Sequence, residues 1–217
     1  VISGTGALTK DTDTSSVLTL SNTNTYTGVT TINAGTISVG TIGNGGAAGN
    51  LGQATNASTN IVLGGGTLKY TGSTATSDRA FTITAGTTGT IDVPTGVTLT
   101  LAGATGTTTT GALTKTNSGT LNLSGVNTYT GTTTISAGTL AITGSGSLNS
   151  GSYAGSIVDN ATFIYSSSAT QTLSGVISGT GALTKDTDTS SVLTLSNTNT
   201  YTGVTTINAG TISVGTI

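Results

Sequence analysis

The sequence predicts an all-β chain wound as a parallel β-solenoid. Three observations lead there. Apolar residues alternate with polar ones over short runs; Gly, Asn, Ser or Asp interrupts each run; and residues 1–42 recur without a single change as residues 176–217, an offset of 175. Period-two alternation with β-branched residues marks half-buried strands. A closed barrel or sandwich has a set strand count, whereas a solenoid extends by adding coils that touch only their neighbours. An exact tandem copy therefore favours the solenoid.

Along the chain, the strand signals are Val17-Leu18-Thr19-Leu20, Ile37-Ser38-Val39, Ile91-Asp92-Val93, Val97-Thr98-Leu99-Thr100-Leu101 and Leu121-Asn122-Leu123. Leu, Ile and Val are expected to point inward and Thr outward, where its β-branch suits a strand and its hydroxyl meets water. Asn24-Thr25-Tyr26 and Asn33-Ala34-Gly35 read as corners, and Pro94 before Thr95-Gly96 as a turn. One coil is expected to run from Leu113 to Ile135, about 20 residues over three short faces. The 175-residue unit then holds roughly 8–10 coils and rises roughly 40–50 Å at the spacing between strands.

A looser repeat lies inside the unit. GALTK occurs at residues 6–10, 111–115 and 181–185, and TYTG at 25–28, 128–131 and 200–203. TTINAGTISV (30–39) answers to TTISAGTLAI (133–142). The middle copy is two residues shorter between Lys and Tyr, which belongs in a turn. Residues 67–83 also resemble 162–177. The domain reading is one full unit at 1–175, with half-modules at about 6–110 and 111–180, continuous with the start of an identical unit at 176–217.

Residues 111–140, GALTK followed by TLNLSGVNTYTGTTTISAGTL, resemble the autotransporter-associated β-strand repeat, also called the passenger-associated transport repeat. The copies at 6–37 and 181–212 lose a Gly at TLSNTNTYTG and carry the two-residue insertion. The resemblance implies a right-handed β-helical passenger of a large bacterial surface protein, exported through the outer membrane and placed at the cell surface or outside the cell. Such passengers act as adhesins or stalks. The family motif brings no catalytic residues with it.

Composition narrows the chemistry. The chain has 56 Thr, 25 Ser and 34 Gly among 217 residues, and no His, Cys, Met, Trp or Glu. Thiol chemistry, disulfides and imidazole catalysis are therefore excluded. Five scattered basic residues do not suit a run of phosphates, so no nucleic acid is expected as partner. No stretch of about 18 apolar residues exists to span a bilayer as a helix.

Glycoside processing needs two carboxylates roughly 5–10 Å apart. Asp11 and Asp13, with their copies Asp186 and Asp188, are the candidates, but KDTDTSS reads as a solvated turn. Calcium would ask for roughly six to eight oxygens. Asp78-Arg79 reads as an exposed ion pair or loop, and the Gly-rich stretches at 43–49 and 64–66 as tight turns. Tyr26, Tyr129 and Tyr201 could stack sugars, but are expected to pack at corners over the next coil. Asn56 and Asn160 begin glycosylation sequons. Ice binding would use Thr-x-Thr pairs such as Thr23/Thr25, Thr128/Thr130 and Thr132/Thr134, which are irregularly placed. No catalytic, cofactor-binding or metal-ligating residue is assigned, and no cofactor. The reading is a non-enzymatic structural segment of a long repetitive surface protein. Its partners are adjacent repeats, with lateral association or host-surface ligands beyond them. A Thr-rich ice-binding solenoid and a carbohydrate-binding or -processing β-helix stand as alternatives.

Overall fold

A computed structural model describes residues 1–106 and 108–215, leaving the last two residues of the second copy outside the described ones. Among the described residues are 25 short strands and two three-residue 3-10 turns. Every paired strand is parallel to its partner. Parallel neighbours cannot be joined by a hairpin, so the chain must travel round before it returns. It does so as a β-solenoid of about nine turns with three faces.

The second face is one sheet of eight strands: Val17–Leu20, Thr36–Val39, Thr67–Tyr70, Thr88–Asp92, Ala112–Thr116, Thr133–Ile135, Ile157–Asp159 and Ile177–Ser178. The third face has seven: Ala75–Ser77, Thr98–Leu101, Thr120–Leu123, Thr139–Gly144, Thr162–Ser167, Ala182–Lys185 and Thr205–Ile207. The first face is interrupted. It starts with Leu8–Lys10, Thr30–Ile32, Ile61–Leu63 and Thr82–Ile83, and ends with Ser152–Tyr153, Gln171–Leu173, Val192–Leu195 and Thr211–Val214. Between them lies the short pair Val126–Asn127 and Ser147–Leu148.

Period two sorts the side chains as expected. On the third face Leu99, Leu121, Leu140, Phe163 and Leu183 form one inward column in direct register. All five are fully buried. Each such side chain contributes about 1.5–3 kcal/mol by leaving water. Thr98, Thr120, Thr139 and Thr162 form a column on the outer side of the same strands. Thr36, Thr67, Thr90, Thr114 and Thr134 do so on the second face.

Coil length varies. Val17 pairs with Thr36, Leu113 with Thr133, and Thr30 with Ile61, so the coils at these places take 19, 20 and 31 residues. The Leu113 coil has the expected length. The longest coil carries an excursion between Val39 and Ile61 that stands outside the sheets.

The repeat does not keep its face. GALTK supplies Leu8–Lys10 on the first face, Ala112–Thr116 on the second and Ala182–Lys185 on the third. Between the first and last of these the chain crosses the second face eight times. The 175-residue offset is thus seven coils and two faces, just under eight coils. Because of the long excursion, this corresponds to a rise of about 36 Å.

Candidate functional site

The motif that recurs along this chain is where function should reside, and its geometry is that of a joint between coils. In Ala112–Thr116 the alternation puts Leu113 and Lys115 on the inside. A lysine thus occupies a core position, with no accessible surface. Its ammonium reaches the corner and donates to the carbonyls of Thr116 (2.7 Å), Asn117 (2.7 Å) and Ala137 (3.4 Å). Lys185 donates likewise to Asp186 (3.3 Å) and Asp188 (3.1 Å), and Lys10 to Asp11 (3.4 Å) and Asp13 (3.1 Å). Charge-assisted bonds of this kind satisfy a buried ammonium without a carboxylate. Burial pushes the Lys115 ammonium down to about 8, and Asp92 opposes the shift.

Each lysine turn closes with a left-handed residue: Thr12 (φ 66°), Asn117 (φ 63°) and Thr187 (φ 72°). The next coil then lays a left-handed glycine over the corner: Gly35 (φ 66°), Gly138 (φ 71°) and Gly210 (φ 75°). A Cβ on any of the three would collide with the turn carbonyls of Asp13, Asn117 or Asp188. The Lys of G-A-L-T-K and the Gly of A-G-T are therefore the two halves of one inter-coil contact. A second pair works the same way. Gly28 lies on Gly6, Gly131 on Gly111 and Gly203 on Gly181, each too close to admit a Cβ.

The tyrosines complete the joint. Tyr26, Tyr129 and Tyr201 each share a hydrogen bond with the Thr four residues on, at 2.7, 3.0 and 2.6 Å. Thr133 also bonds Tyr153 (2.8 Å), which donates to the Gly131 carbonyl and meets Tyr129 edge-on at 5.9 Å. Burial raises the ionisation of Tyr129 and Tyr153 above the ordinary tyrosine range. Tyr26 and Tyr129 are buried, as the corner reading expects, and offer no ring to a sugar; Tyr201 is half-buried.

The remaining candidates separate. Asp13 and Asp188 cap their own turns: Asp13 accepts from the Ser15 backbone and hydroxyl at 2.8 Å each, and Asp188 from those of Ser190 at 2.7 Å each. The serine hydroxyl first, then the backbone N–H, holds each carboxyl below its usual value. Asn56 donates to Asp78 Oδ2 at 3.3 Å. The hydroxyls of Thr128 and Thr130 turn down onto the Gly106 (2.6 Å) and Thr109 (2.9 Å) carbonyls of the coil below. The long Thr column of the second face stands alone, since its neighbouring outward column reads Ser38, Lys69, Asp92 and Thr116.

One expectation is corrected. Asp78-Arg79 lies in the loop between Ala75–Ser77 and Thr82–Ile83, as one half of the reading has it, but it is not an exposed ion pair. Arg79 is 2% exposed, and its guanidinium donates to the carbonyls of Ile42 (3.3 Å), Ala54 (3.2 Å) and Gly52 (2.9 Å). Asp78 accepts from the Gly45 N–H at 2.7 Å. Both side chains pin the excursion that residues 43–49 open. A guanidinium suits this because its five donors fan out in one plane. Sequence reasoning also missed the inward Lys115 and Lys185, Gln171 and Asp159, all fully buried. Burial raises the Asp159 carboxyl above its usual value, against hydrogen bonds from the backbone of Ala161 and Phe163. Period two could have found the lysines, since Lys115 has the parity of Leu113.

Fold and joint together define a parallel β-solenoid built from a recurring coil motif that carries its own inter-coil lock. Residues 15–39, 113–142 and 190–214 match the passenger-associated transport repeat. The chain is also 48% identical over 120 residues to the adhesin BmaC autotransporter of Brucella suis biovar 1 (strain 1330). The match covers 54% of this chain and 3% of that relative, so the chain corresponds to a small part of a much longer protein. No solved structure matches the chain.

Proposed function

We propose that this chain is a non-catalytic load-bearing segment of a bacterial surface passenger, built to give an exported protein length and stiffness. The observation that carries the reading is the joint. The motif's glycines lie against the coil before, Lys115 and Thr133 also bond to the coil after, and its Lys and Tyr otherwise close the corners on which the next coil rests. Matches to a passenger transport repeat and to an autotransporter adhesin support the same reading. The segment is placed at the bacterial surface or outside the cell, reached by export across the outer membrane. Tandem 175-residue units extend the rod, and adhesion belongs to surfaces it carries or projects.

A series of one, two and three tandem units imaged by electron microscopy should lengthen by about 36 Å per unit at constant width. Globular beads that do not lengthen in line would overturn the reading. Incubation with surface polysaccharides should release no sugar. Lateral bundling is expected to be limited, because a unit that advances by two faces cannot present one continuous sticky side; single rods in physiological salt are the expected image.

A further inference from the structure

Asp159 ends the strand Ile157–Asp159, and period two turns it inward with Ile157. It has no accessible surface. Its column runs Lys115, Ile135, Asp159, so an apolar side chain lies directly beneath it. Above it the next coil brings glycine. Gly181 donates its N–H to the Asp159 carbonyl at 2.7 Å, and a Cβ on Gly181 would strike the Asp159 carboxylate. Oδ1 accepts from the Ala161 N–H at 3.1 Å. Oδ2 is buried with no hydrogen-bond partner among the described residues. The buried titratable side chains of the strands and corners around it are Lys115, Lys185, Tyr129, Tyr153 and Tyr165. Both ammoniums are held by carbonyls, those of Thr116, Asn117 and Ala137 for Lys115 and of Asp186 and Asp188 for Lys185. The tyrosines stay neutral in acid. Burial acts on the Asp159 carboxyl, opposed by the backbone N–H groups of Ala161 and Phe163, and no charge offsets its desolvation.

We propose that Asp159 is a proton-binding site, and that the next coil at Ser178–Gly181 seats most firmly when this carboxyl is the neutral acid. An ion with an unused oxygen and no cation costs far more to bury than an uncharged acid of the same shape. Ionisation therefore destabilises the seat from below, and protonation restores it. The folded carboxyl is raised, so it keeps a proton that the unfolded chain, with an ordinary aspartate value of about 3.9, has already lost. Its contribution is fully present below about pH 3.9 and is lost as pH rises through the folded value. That sign is the reverse of ordinary acid unfolding. Composition leaves the window clear, since the chain has no His, Glu or Cys. Asp13 and Asp188 are held below the ordinary value and titrate on its acid side, while Lys115 titrates at about 8.

The full 217-residue chain tests this. Its seven side-chain carboxyls are all aspartates, so carbon-13 NMR of the carboxyl carbons follows each one through a titration. The Asp159 signal, assigned through its own backbone, should titrate above the ordinary value and disappear in Asp159→Asn. That variant is uncharged at every pH and nearly isosteric. The parent's melting temperature should rise as pH falls from about 7 to about 4. Asp159→Asn should melt higher than the parent at about pH 7 and lose the rise. Hydrogen exchange reports the place. At about pH 7 the Gly181 amide should exchange more slowly in Asp159→Asn than in the parent, and at about pH 4 the two should agree. An Asp159 carboxyl that titrates at or below the ordinary value overturns the proposal. So does an Asp159→Asn effect that is the same at every pH, which marks packing alone. If Asp159→Asn does not fold, the carboxyl titration of the parent decides. None of these outcomes bears on the surface role, which rests on the joint.

Discussion

Residues 1–42 and 176–217 are the same sequence in two places, and the structure treats them alike in one respect and differently in another. Four strands agree to within a residue, and the second copy adds Ile177–Ser178. Val17–Leu20 becomes Val192–Leu195, Thr36–Val39 becomes Thr211–Val214, and both lysines curl onto the same turn carbonyls. Burial disagrees. In the first copy Ile37 is fully buried and Leu18 is not; in the second Leu193 is fully buried, and Ile212, the counterpart of Ile37, is only partly so. The first copy is covered from above and the second from below. Local conformation therefore travels with the sequence, while a residue's share of stability is set by the coil stacked on it.

The strongest way to break this comparison is to truncate matched core residues. Leu193→Ala should cost about 3 kcal/mol and Leu18→Ala about 1, and the order should reverse for the upper strands, with Ile37→Ala costlier than Ile212→Ala. Chemical denaturation of the four single variants measures it; equal costs within each pair would show that neighbour coverage does not decide stability. Next comes Arg79→Ala. It leaves three carbonyls without their donor and should cost about 2–3 kcal/mol. Hydrogen exchange should speed up in residues 42–54 and above the first copy, and stay unchanged around the second. A covered lysine corner is sharpened by pH. The Lys115 value of about 8 lies below an unfolded lysine near 10.4, so the unfolded chain binds more protons between them. Stability from this residue rises across that window and is lost as pH falls toward 8. Above pH about 10 the buried tyrosines, raised by burial, act oppositely and stability falls. Thermal melts at stepped pH should show the rise in the parent and a flatter curve in Lys115→Met. The smallest effect tests the local half: Asp13→Asn and Asp188→Asn, both exposed, should each shift the melting temperature only slightly, and to the same extent.

Much of the fold was legible. The parity of Leu18 with Leu20 and of Leu121 with Leu123 gave the inner columns, and the exact copy gave the solenoid. The joint was half legible. Lys115 shares parity with Leu113, but a lysine's usual place in water argues against burial until the carbonyls of Thr116, Asn117 and Ala137 are seen around it. Arg79 was not legible at all. Its partners at Ile42, Gly52 and Ala54 lie 25 to 37 residues away in a stretch without periodicity.

By itself the sequence determined which segments are strands, which way each side chain alternates and where the chain turns. These depend on contacts within a few residues, so identical segments make them identically. Only the tertiary structure decided which face each repeat occupies. That depends on the summed length of every coil in between, including a 31-residue one, and no local pattern carries that sum. Stacking likewise decided that the Gly of one A-G-T must lie over the Lys of the preceding coil, because the clash a Cβ would meet belongs to a neighbour about twenty residues back.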